Sequence, residues 1–160
     1  MKMCNIYIKN ETLSSLGILL IGLLCSQSLI AKTDIEYFTS QRNIDNNYPF
    51  SDAVQVGDLL FLSGQIGFDS KKSKLVEGGI KTETKQTMDN IKGSLSTYSY
   101  SMNDLVKCTV MLADIADWPT FNEVYKTYFP LHFPARSAFA TNGLALGAKV
   151  EVECIAAKSE

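Results

Sequence analysis

Few side chains in this sequence are equipped for chemistry, and Arg136 is the most conspicuous. It lies in "HFPARSAFATNG" (132–143), between a Pro-Ala step and a small-plus-aromatic run, and is one of only two Arg in the chain. A guanidinium presents a planar pair of donors that matches a carboxylate, so a residue of this type can hold a small organic acid in one orientation. The same position equally suits an Arg whose stem lies along apolar surface while its head stays in water. His132 is the only His, and the four Cys form neither a CxxC pair nor a Cys/His cluster, so a transition-metal centre built by this chain is not expected.

The elements that would position Arg136 follow from periodicity and turn signals. "IEYFTS" (35–40) is short and β-rich, and the Asn-Asn and Pro of "RNIDNNYPFS" mark a loop. Two strands, 52–56 and 59–66, meet at Gly57-Asp58, a hairpin signal. "DSKKSKLVEGG" reads as polar loop, with the "KKSK" run (71–74) solvated. From Ile80 to about Tyr98, Thr84, Met88, Ile91 and Leu95 recur at three to four residues, which predicts an amphipathic helix. "DLVKCTVMLADI" predicts a strand with Val106, Cys108, Val110 and Leu112 on one face. A second helix is expected from an Asp117 N-cap, with Pro119 in its first turn and a core stripe of Phe121, Val124, Tyr125 and Tyr128; Trp118 packs where it begins. Two last strands, about 137–141 and 149–157, complete the order βββαβαββ. We read this as an α/β (α+β) domain, one mixed sheet with both helices on one face. Its other face would carry Lys107, Thr109, Arg136, Glu151 and Glu153, a set that is costly to bury unpaired if subunits cover it.

Composition narrows the function classes. The chain is 46% hydrophobic with a net charge of −2, ordinary for a single globular domain and without the basic footprint of a nucleic-acid binder. Its N-terminus reads differently from the rest. Lys2 and Lys9 precede the apolar run "LGILLIGLLC" (16–25), and "SQSLIA" follows, ending on Ala31. That is the three-part pattern of a secretory signal, so residues 1–31 are expected to be a signal peptide cleaved after Ala31, giving a periplasmic or secreted protein. The run is about half the length needed to span a bilayer, so contact with a membrane is expected only through this segment. Cys25 invites a lipid anchor, but Leu24 stands where a small residue would be wanted. A mis-assigned start codon would instead leave the protein cytoplasmic. Cleavage leaves Cys108 and Cys154, each sharing parity with core-side Val or Leu; they are buried thiols, or a bridge if their strands are neighbours.

Four segments carry a resemblance: "PFSDAVQVGDLLFLSGQIG" (49–67), "VKCTVMLADIADWPTFNEVY" (106–125), "FPARSAF" (133–139) and "KVEVECIAA" (149–157). In order and spacing they are similar to the Rid (YjgF) family of reactive-intermediate deaminases, over residues 49–160, with 32–48 an added N-terminal strand and loop. The resemblance implies a chorismate-mutase-like homotrimer around a central barrel, with helices outside and a small-ligand cleft at each subunit boundary. It implies hydrolysis of 2-imino or enamine acids (2-iminobutanoate or 2-iminopropanoate) to a 2-keto acid and ammonia, with no cofactor. Residue by residue, it places the carboxylate-binding Arg on Arg136 and the water-positioning Glu on Glu151. A hairpin of the last two strands would set these opposite one another, although the strands need not pair. Gly64 falls on a cleft-lining glycine and Asn122 on a pocket Asn that a helix start could also explain. Phe50 stands where many members have Tyr, and Ala138 where many have Cys, which removes a hydroxyl and a thiol. Glu153, on the same strand face as Glu151, is expected to be structural. A small-ligand-binding or chaperone-like periplasmic trimer is the alternative the resemblance leaves.

Overall fold

The structure is a computed structural model that describes residues 34–158. The expected signal segment and its cleavage point lie outside the described residues. Among the described residues, eight strands and three α-helices run in the order β1 (Ile35–Phe38), α1 (Gln41–Asp45), β2 (Ala53–Val56), β3 (Leu59–Ile66), β4 (Phe68–Asp69), β5 (Lys74–Leu75), α2 (Ile80–Thr97), β6 (Leu105–Leu112), α3 (Trp118–Tyr125), β7 (Ala135–Ala140) and β8 (Val150–Ala157). Six strands form one sheet in the order β1-β2-β3-β8-β6-β7, and β4 and β5 form a separate two-stranded ribbon. Only β7 runs parallel to its neighbour, β6; the other pairs are antiparallel. The mixed α+β sheet is as expected.

Alternation in the strands sets the core. Leu60 and Leu62 of β3, Cys108, Val110 and Leu112 of β6, and Val150, Val152, Cys154 and Ala156 of β8 all point to one face. Met88, Ile91 and Leu95 of α2 and Phe121 and Tyr125 of α3 pack onto that face in one buried cluster. Cys108 and Cys154 are direct cross-strand partners there and are joined by a disulfide, with Cα atoms 4.1 Å apart. The opposite face is open in the single chain and mixes charge with apolar groups, leaving Leu59, Phe61 and Phe139 about two-fifths exposed or more.

Several elements depart from expectation for local reasons. The loop after β1 contains α1, because Ser40 accepts from the Asn43 N–H and caps a short helix. The loop expected at 69–79 contains part of the β4–β5 ribbon, with Asp69 accepting from the Lys71 and Lys72 N–H groups at its tip. Asp117 makes no side-chain cap; Asp114 does this one turn earlier, accepting from the Ala116 N–H at 2.9 Å above a 3-10 turn that leads into α3. In β6 an extra residue at Val106 shifts the register against β8, so Val106 is exposed and Leu105 takes the core position. The Gly57-Asp58 turn is as read, with Val56 paired to Leu59 and Gly57 at φ +57°.

Two corrections concern the site directly. Strand β7 begins at Ala135, so Arg136 lies within a strand rather than ahead of one. It is paired with Cys108, which places it on the helix-covered side; the expected grouping of Arg136 with Glu151 on the open face is not found. Nor do β7 and β8 form a hairpin, because β6 lies between them and Glu151 is paired with Met111. A residue's face follows from pairing register, which here joins β7 in parallel to β6 rather than to β8.

Candidate active site

Arg136 is held by one face of α3. Its Nη1 donates to Asn122 Oδ1 at 2.8 Å, and its guanidinium carbon lies 4.9 Å from the Tyr125 ring centroid, 5.7 Å from Trp118 and 5.8 Å from Phe121. All four partners come from one side of α3, where Asn122 interrupts an otherwise aromatic stripe. Aromatic faces attract the cation while leaving its N–H donors free, and the Asn carbonyl fixes the plane of the fork. No carboxylate lies within ion-pair distance of Arg136 among the described residues. The guanidinium faces a cleft of about 320 Å³ lined by Asn122, Tyr125, Lys126, Phe133, Pro134 and Arg136. Burial pushes the Tyr125 phenol up to about 12, against the pull of the Arg136 charge, so it stays neutral beside the cation. Ala138 lies two residues along β7 on the same face, packed on the core.

A second cluster forms on the open face. Between Leu62 and Gln65 the register of β3 against β8 slips by one residue, and Gly64 sits in that bulge. A Cβ on Gly64 would overlap the Glu151 carboxylate, lying 2.9 Å from its Cδ, so only glycine lets the two approach as they do. Burial and the neighbouring Glu153 hold the half-buried Glu151 carboxyl above the ordinary Glu value. That is the direction wanted in a group that must take and return a proton near neutrality. Ser63 Oγ donates to the Ser51 carbonyl at 2.6 Å, which ties the segment bearing Phe50 to the strand beside Gly64. Phe50 itself is exposed and stacks on Tyr48, with centroids 5.6 Å apart.

The six sequence-derived residues therefore fall into two groups. Arg136, Asn122 and Ala138 lie on the helix side, whereas Gly64 and Glu151 lie on the open side with Phe50 tethered nearby. One group presents guanidinium donors to a cleft, the other a carboxylate set beside a glycine. The aromatic lining was not foreseen: Phe121 and Tyr125 were expected to be core only. A polar Asn at position 122, within the 118–121–125 helical stripe, is the signal that could have disclosed it.

Comparison with known proteins identifies the family. The sequence profile of the family described as Endoribonuclease L-PSP matches residues 40–158. A 2-iminobutanoate/2-iminopropanoate deaminase of Mus musculus is 44% identical over 108 residues, covering 68% of this chain and 80% of the relative. A RutC family protein of Pyrococcus horikoshii is 43% identical over 110 residues, covering 69% and 87%. Among solved structures, RidA from an Antarctic Psychrobacter superposes with a TM-score of 0.66 at 37% identity, covering 69% of this chain and 89% of that one. The YjgF protein of E. coli gives 0.67 at 30%, covering 70% and 90%. The chain belongs to the Endoribonuclease L-PSP family, which includes the Rid and YjgF proteins.

Proposed function

We propose that this protein is a hydrolytic deaminase of short 2-imino acids, of the 2-iminobutanoate and 2-iminopropanoate type. The observation that carries the reading is Arg136, oriented by Asn122, lined by aromatics and open to a cleft, with no carboxylate among the described residues to consume its donors. The substrate carboxylate takes the paired donors, which fixes the adjacent C=N carbon in space. Glu151 orients a water molecule toward that carbon and accepts its proton as the C–O bond forms. That proton passes to nitrogen to give a carbinolamine; its hydroxyl proton then also moves to nitrogen as C=O forms and the C–N bond breaks, and a 2-keto acid and ammonia leave. Oxidation state is unchanged, so no redox cofactor is required. The name carried by relatives at 43–44% identity supports the same reaction.

Arg136 and Glu151 occupy opposite faces of one sheet, so we place the complete site between copies, Arg136 of one chain facing Glu151 of the next in a homotrimer. The exposed Leu59, Phe61 and Phe139 on the open face favour such an assembly. The family description would also fit RNA cleavage, but a net charge of −2 offers no counter-charge for a phosphate backbone. Export to an oxidising compartment is supported by the N-terminal pattern and by the Cys108–Cys154 bridge.

The test is to generate 2-iminobutanoate in situ with an amino-acid oxidase and follow suppression of semicarbazone by the mature chain. Arg136→Ala is expected to abolish suppression. Equal rates for wild type and variant would defeat the reading.

A further inference from the structure

Glu83 is a buried carboxylate that the proposed reaction does not use. It lies in the first turn of α2 and is 6% exposed. Its Oε2 accepts from the Lys149 backbone N–H at 2.7 Å, across a sequence separation of 66 residues. The carbonyl of the same Lys149 accepts from the Ala113 N–H at 2.9 Å, so both polar groups of this residue are held just before β8 begins. On its other side Glu83 meets the end of β3. A Cβ on Gly67 would stand 2.8 Å from Glu83 Cα, so the chain leaving β3 runs flush against the helix backbone.

Both contacts converge on one residue. Glu151 lies two positions after Lys149, and its cross-strand partner in β3 is Ile66, which immediately precedes Gly67. Burying a carboxylate is unfavourable unless it is hydrogen-bonded; here a charge-assisted N–H bond and the positive end of α2 supply compensation. The device joins the start of α2 to β8, which carries Glu151, and to β3, which pairs with it.

We propose that Glu83 is a positioning residue for Glu151: its buried carboxylate pins the entry of β8 against the exit of β3 and so fixes where the Glu151 carboxylate stands. The inference rests on the deaminase reading for its kinetic consequence, but its positional content can be measured without turnover.

The experiment compares full-length mature wild type with Glu83→Ala, Glu83→Ser and Glu83→Gln. Read-outs are kcat on 2-iminobutanoate, the Kd of the product analogue 2-ketobutanoate, and the Glu151 side-chain carboxyl resonance by carbon NMR. Loss of the pin in E83A, or in E83S should E83A not fold, is expected to lower kcat by about 10²-fold, the effect of a misplacement near 1 Å. The Kd is expected to stay within about threefold, because Arg136 is untouched, and the Glu151 resonance to move. E83Q keeps a carbonyl acceptor for the Lys149 N–H, so kcat and resonance are expected to return toward wild type. An unmoved Glu151 resonance in the truncations overturns the proposal whether or not the protein is active. So does a parallel fall of kcat and affinity, or a failure of E83Q to rescue. An inactive but folded wild type would instead defeat the deaminase reading and leave the resonance test to decide the role of Glu83.

Discussion

Gly64→Ala separates the proposed chemistry from stability. The new Cβ would lie 2.9 Å from Glu151 Cδ and 3.1 Å from its Cγ. The carboxylate oxygen would overlap the new Cβ more deeply still, and with ordinary contacts at about 3.5–4.0 Å the carboxylate must retreat by more than about 1 Å. Gly64 is not in the left-handed region, so the alanine backbone is unstrained and only the flexible end of Glu151 has to move. A displaced rotamer costs about 0.5–1.5 kcal/mol. Removing glycine's freedom from the unfolded chain offsets about 0.4–1 kcal/mol of that. Net stability should therefore change by less than about 1 kcal/mol, whereas a base displaced by about 1 Å should lose on the order of 10²-fold in kcat. Denaturant titration gives the first quantity and the semicarbazone assay the second. Wild-type kcat in a folded variant would refute the role given to Glu151. So would a loss of activity that merely tracks a loss of folded protein.

Other expectations follow from the same geometry. Because burial and Glu153 raise the Glu151 carboxyl, the folded chain keeps a proton that the unfolded chain has already released between the ordinary and the raised value. Stability should thus fall as pH rises through that window, and Glu151→Gln should flatten the slope in denaturant titrations at several pH values. The acid limb of kcat should lie above the ordinary Glu range, and Glu153→Gln should move it down; an unmoved limb would assign it to another group. Asn122→Ala removes the acceptor from the Arg136 guanidinium, a bond to a charged group worth about 1.5–3 kcal/mol, and should weaken 2-ketobutanoate binding about tenfold or more by calorimetry. The disulfide closes a loop with a sequence separation of 46 residues, for which chain entropy gives up to about 4 kcal/mol. Its reduction should lower the unfolding midpoint by an amount corresponding to about 2–4 kcal/mol, and an unchanged midpoint would show that the bridge adds nothing.

Much of the architecture was legible because its signals are local. The Gly57-Asp58 turn fixes a two-residue hairpin, and Met88, Ile91 and Leu95 recur as a helix face requires. Strand parity alone sent Cys108 and Cys154 to the core. What escaped depends on contacts distant in sequence. The face of Arg136 follows from a parallel pairing of β7 with β6, and no property of "FPARSAF" encodes it. The outward turn of Val106 follows from a bulge against β8. The short helix α1 was hidden because the Ser40 cap competes with Asn-Asn and Pro, which read as loop. Arg136 stood out by its type and position and Glu151 only through resemblance; their separation by the sheet is a structural finding, and it makes a shared site between copies necessary to the proposed reaction.

That necessity can be tested with two variants that are each expected to be inactive. Differently tagged Arg136→Ala and Glu151→Gln chains are unfolded together, refolded as a mixture, and the doubly tagged assembly is isolated and assayed on 2-iminobutanoate. If each site takes its Arg from one copy and its Glu from the next around a closed trimeric ring, every doubly tagged trimer holds one intact site in three and should show about a third of the wild-type rate. Mixed assemblies that form but remain as inactive as either parent would contradict it.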